Sequence, residues 1–170
     1  MIATSHVIIG GAAAVAVGTI TQNPAAALAV GIVSHLICDA IPHLDSPINP
    51  GIDNAEWDRI IWSKGFYAFA ITDSLIAFFC TFAIWYIKFD LHFWTPYAWG
   101  ALGAYLPDLV DNVPLWRSQI HAIPVFKQFY AFHIWIHENW RKYFPEKKYW
   151  PLGIATQLIT VLPCLYYLIK

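Results

Sequence analysis

The sequence predicts an all-α protein, an integral membrane helical bundle of about five spanning helices plus one or two interfacial helices, in a single domain over residues 1–170. Three observations predict it. Only 12% of the residues are charged while 58% are hydrophobic, against about a quarter charged in soluble domains. Residues 7–34 carry no charged side chain. Apolar runs near the ~20 residues that cross a bilayer recur along the chain, punctuated by Pro, Gly and Asn. A net charge of -1 without a basic tract argues against a nucleic-acid partner. Cys38, Cys80 and Cys164 lie apart in apolar segments, which suggests neither a disulfide framework nor a cysteine zinc site.

The first two helices form a hairpin, over residues 2–21 and 24–41. Asn23 serves as cap and Pro24 as first helical residue. No Lys or Arg precedes the first apolar run, so it reads as a retained helix rather than a signal peptide. Residues 46–63 are a polar connection ending in a short interfacial helix around Trp57, Ile60, Ile61 and Trp62. Asp53, Glu56 and Asp58 there are solvated. Spanning helices follow over 66–87 and 93–109. Residues 114–149 are aromatic, basic and too polar to span, with helical periodicity over 125–140. A last spanning helix covers 151–169 and carries no ionisable group before Lys170.

Against this apolar background the ionisable groups stand out, because each is costly in a membrane. His35, Asp39 and His43 are spaced four apart and stack on one helix face, and Pro42 ends the helix so that His43 and Asp45 stand at its mouth. Imidazoles and carboxylates on neighbouring turns suit a divalent ion, zinc first and manganese second. The hairpin arms carry matching stripes, His6, Gly10, Ala14, Gly18 and Ala27, Gly31, His35, Asp39. Antiparallel pairing of these small residues sets Gly10 beside His35 and His6 beside Asp39. A plain packing seam with an incidental His6 fits the stripes as well. Asp73, two turns inside its helix, either reaches the cluster or hydrogen-bonds Thr72 or Ser74. Gly100, Ala104 and Asp108 repeat the stripe, and Asp111 follows one turn later. His133 and His137 are again four apart, with Glu138 adjacent; the plainer reading is an interfacial helix whose histidines face water.

Threading the spans brings His6, His43, Asp45, Asp108, Asp111, His133 and His137 to one membrane face, with Asp73 near it. Eight of the ten Lys and Arg lie on that face, which the positive-inside rule orients to the cytoplasm.

Gly-x-x-Ser-His-x-x-x-Asp at 31–39, Leu-Pro-Asp at 106–108 and Ser-His-x-x-x-Gly at 5–10 resemble the YdjM-like inner-membrane metal-dependent hydrolases, which look like membrane relatives of the zinc-dependent phospholipase C and P1 nuclease group. The family's His-Arg-x-x-Thr-His-Ser segment has no counterpart here. The resemblance implies an all-helical fold in the bacterial inner membrane. It also implies metal ligation by His6, His35, Asp39 and Asp108, with His133 and His137 as a further pair.

The expected function is a metal-dependent hydrolase acting on a phosphoester or lipid-like substrate at the cytoplasmic membrane surface. Its metal ligands are drawn from His6, His35, Asp39, His43, Asp73, Asp108, His133 and His137. Asp45, Asp111 or Glu138 serves as base or outer partner. Lys127, Arg141 or Lys142 attracts an anionic headgroup of the membrane lipid. The competing class is a metal transporter or storage protein using the same ligands, with Asp73 and His35 marking an ion path. Bis-histidine haem ligation ranks last, because carboxylates crowd these histidines.

Overall fold

A computed structural model describes residues 1–44, 64–88, 90–144 and 146–170, and the elements among them are all helical. In chain order these are α1 (Ala3–Val17), a 3₁₀ turn (Gly18–Gln22), α2 (Pro24–Asp39), α3 (Lys64–Ile87), α4 (Leu91–Asn112), α5 (Pro114–His121), α6 (Pro124–Arg141) and α7 (Glu146–Ile169). Asp45 and the interfacial helix expected before residue 63 lie outside the described residues.

The first arm is not one α-helix to residue 21. Gly18 takes a left-handed φ of 74° and the chain tightens into the 3₁₀ turn, a conformation glycine adopts without penalty. Asn23 then accepts hydrogen bonds from the Ala25 and Ala26 amides, and Pro24 occupies the first helical position. In α7 the helix kinks at Tyr149, two residues before Pro151, so its straight part begins there.

α4 sits between the two hairpin arms. The stripes of α1 and α2 meet chiefly on the third stripe, not on each other. A Cβ added at Gly10 would overlap Ala104 and the Gly100 carbonyl, and one at Gly31 would overlap the Gly100 carbonyl and the Ala104 amide. Gly100 in turn lies against Ala14 and the Gly10 carbonyl. Small side chains on three helices therefore let three backbones touch. Ile8 and Ala12 of α1, Ile84 of α3, Tyr97 of α4 and Leu168 of α7 close an apolar cluster beside this seam.

Hydrogen bonds tie both ends of the hairpin to its neighbours. The Gln22 side chain donates to the His92 carbonyl at 2.8 Å, fixing the hairpin turn at the start of α4. At the other end, α1 begins against Asp73 of α3, and Thr156 and Gln157 of α7 donate to the Pro42 and Leu44 carbonyls that follow α2. α3 and the 148–169 part of α7 are long and apolar enough to cross a membrane. α3 buries only Asp73, Ala77 and Ile84, and turns Ile71, Phe78, Phe79, Phe82 and Tyr86 outward. An apolar exterior of this kind suits lipid rather than water. α1 and α2, at 15 and 16 residues, run only about 22–24 Å.

A buried histidine and aspartate centre

The last turn of α2 carries His35 and Asp39 one above the other, with His35 Nε2 2.9 Å from Asp39 Oδ2. Asp39 is fully buried, and five imidazoles converge on its carboxylate. Oδ2 also faces His133 Nε2 and His137 Nε2 of α6, each at 3.0 Å. Oδ1 faces His6 Nε2 of α1 at 3.1 Å and His43 Nε2 at 3.7 Å, with the Met1 nitrogen at 2.9 Å. Asp108 of α4 stands at the edge, its Oδ1 3.9 Å from His35 Nε2 and bonded by the Asn112 amide. Every one of these imidazoles presents the same ring nitrogen, Nε2.

The far nitrogens explain why. His35 Nδ1 lies 2.7 Å from the Ala104 carbonyl, and His43 Nδ1 2.7 Å from the Ile41 carbonyl. A carbonyl only accepts, so both Nδ1 atoms must carry the hydrogen. In the neutral ring that leaves Nε2 as a lone pair aimed at the centre. His133 is fixed likewise, its Nδ1 donating to Asp111 Oδ2 at 2.7 Å. Yet His35 Nε2 and His133 Nε2 are 3.1 Å apart. Two lone pairs this close to each other and to a carboxylate repel unless a cation lies among them. Protons can fill that role. Burial alone would lower His133, but hydrogen bonds to Asp111 and Asp39, with the nearby Asp108 charge, raise it to about 10.

The donor set fits a metal. Three groups, His6–His35–Asp108, His35–Asp39–His133 and Asp39–His43–His137, each bring their ligand atoms close enough to hold one ion. Imidazole nitrogen and carboxylate oxygen are the donors such ions take. His6 supplies an independent sign. Its Nδ1 is buried with no hydrogen-bond partner among the described residues, a cost that a native interior seldom bears, and its ring stacks on His35 with centroids 3.9 Å apart.

The surrounding chain holds these imidazoles and Asp39 in place. Trp140 Nε1 donates to the Asp39 carbonyl at 2.9 Å, satisfying the end of α2 and clamping α6 to it. Gly153 of α7 lets that helix lie against the backbone of His43 and Leu44, so that Thr156 and Gln157 can grip the turn.

Other residues expected at the site take different places. Asp73 does not join the ligands; its carboxylate accepts from the Ala3 and Thr4 amides and from Thr4 Oγ1, capping α1 from a neighbouring helix. Asp111 does not face open space as a base would. Its Oδ2 holds His133 and its Oδ1 lies 3.1 Å from His121 Nε2. Glu138 is half-buried beside His137 and belongs to none of the three groups. Lys127 and Lys142 are exposed. Sequence reasoning missed His121, Arg117, Tyr130 and Trp140. Arg117 and His121 lie on α5, and only the α5–α6 turn brings them near. Tyr130 and Trp140 stand three residues from His133 and His137 on α6, a helical spacing that was the available signal. Comparison with family models, curated proteins and solved structures finds no match to the chain.

Proposed function

We propose that this protein is a five-span membrane hydrolase of the cytoplasmic surface, using a divalent ion, zinc before manganese, to cleave a phosphoester on a lipid-like carrier. One observation carries the reading: a fully buried carboxylate with the Nε2 atoms of five imidazoles trained on it. Asp39 belongs both with His35 and His133 and with His43 and His137, so these residues would hold up to two ions. A bound ion lowers the pKa of water toward neutrality and polarises a phosphoryl oxygen. Asp108, the ligand candidate with the most exposed side chain at 23%, marks the rim where substrate approaches. Asp45 and Glu138 are the proposed proton acceptors, since both oxygens of Asp111 are already engaged.

The contacts between helices support five spans. Asp73 of α3 holds the start of α1, and Met1 lies against Asp39 in the cluster that Asp108 of α4 borders, so a crossing α3 would need α4 to return. Gln22 ties the far turn of the hairpin to the start of α4. The eight of ten basic residues that the threading puts on the ligand side support a cytoplasmic orientation.

Metal analysis of the purified protein, followed by assays on soluble and lipid-borne phosphoesters, tests the reading. Turnover should vanish with chelator and return with zinc or manganese. The burial of the ligands favours one alternative, a metal carrier or store. High metal occupancy without turnover, together with metal flux in vesicles, would establish that alternative and overturn hydrolysis.

A further inference from the structure

Asp111 is 1% exposed, and both its oxygens are taken by imidazoles, His133 of α6 on one side and His121 of α5 on the other. A carboxylate held at one oxygen can still rotate about its last torsion, which is broad. Held at both, it cannot turn without breaking a bond. The His121 ring rests against Tyr130, centroids 4.2 Å apart. The Tyr130 hydroxyl accepts from Arg117 Nη2 at 2.8 Å, and Arg117 Nε donates to the Asp111 carbonyl at 2.9 Å. These contacts close a ring through α4, α5 and α6, and the ring includes the Asp111 carboxylate whose other oxygen fixes His133.

We propose that His121 is a positioning residue of the metal centre: its Nε2–H pins Asp111, and Asp111 holds the His133 ring so that Nε2 aims at the ion. The inference rests on the metal-binding reading above. His121 touches neither the proposed ion nor Asp39; it acts two bonds away. Outer partners of this kind typically set metal affinity by roughly ten- to a hundred-fold.

Cobalt(II) uptake by the full chain tests this, since its visible absorption reports both occupancy and ligand geometry. His121→Ala removes ring and donor. His121→Phe keeps a ring against Tyr130 and removes only the donor, and it stands in should the alanine variant not fold. His121→Gln restores an N–H donor without the ring. The expected result is cobalt affinity weakened about ten-fold with a shifted band in His121→Ala and His121→Phe, and substantial recovery of both in His121→Gln. Asp111→Asn should reproduce the loss. Wild-type affinity and band in His121→Phe would overturn the proposal, leaving the metal centre intact. Equal loss in His121→Phe and His121→Gln would also overturn it, since the ring's shape would then matter and not its hydrogen bond. A wild-type protein that takes up no cobalt would overturn the metal reading and this inference with it.

Discussion

At the scale of single residues, Asp39 is the group on which the centre depends, because it is the one negative charge that all five imidazoles face. Asp39→Asn keeps the shape and removes the charge. It should weaken metal uptake by more than the roughly ten- to hundred-fold that loss of an outer partner costs, and His35→Ala should do the same by deleting a ligand; equilibrium dialysis against zinc reads both. The pH dependence follows from His133. Its proton, held to about 10, must leave before Nε2 can ligate, so zinc affinity should rise about ten-fold per pH unit for one proton released. Metal-free protein should behave in the opposite sense. The folded value lies above the ordinary 6.5, so the stabilisation is complete below about 6.5 and is lost as pH climbs to about 10. Melting of the metal-free protein in detergent should therefore fall across that window, while zinc-loaded protein should be flatter.

At the scale of elements, two contacts do different work. The Gly10–Gly31–Gly100 seam allows three backbones to meet, and a methyl at Gly31 has backbone on two sides with nothing flexible to yield. Gly31→Ala should cost about 1–3 kcal/mol or prevent assembly. Gly65→Ala, with nothing near its missing Cβ, should leave thermal stability in detergent unchanged or slightly raised. Asp73 caps α1 from α3, satisfying backbone donors at the helix start. Asp73→Ala should cost about 1–2 kcal/mol and loosen His6, while Asp73→Asn, which keeps an acceptor, should cost less. Zinc-binding stoichiometry of the two variants distinguishes capping from ligation, because a ligand would be lost in both.

For the whole molecule, the decisive quantity is how many helices cross the bilayer. Reporters at Asp90 and after Lys170 should face the same side in a five-span protein, with a reporter at Gln119 opposite. If α3 and α7 alone crossed, Asp90 and Lys170 would report opposite sides. That arrangement would also have to bring His35 and His133, which flank α3 in the chain, to within 3.1 Å of each other.

The sequence by itself determined the helical class, the hairpin with its Asn23 cap and the pairing of His35 with Asp39 and of His133 with His137 on one helix face. Those are local properties: a spacing of four puts side chains on one helix face whatever surrounds them. It also marked the small-residue stripes, because glycine and alanine at helical spacing have meaning before any partner is known. Tertiary structure decided which stripe met which, placing α4 between arms expected to pair directly. It also decided between alternatives the sequence left open, giving Asp73 backbone amides and Thr4 as partners and giving Asp111 imidazoles in place of the open position a base needs. A buried carboxylate must find donors, but the sequence does not say whether these are backbone amides, imidazoles or an ion. Asp73 found the open end of α1, and Asp111 found His133 and His121. Those outcomes depend on crossing positions and turn geometry between distant segments, which no periodicity along one helix encodes.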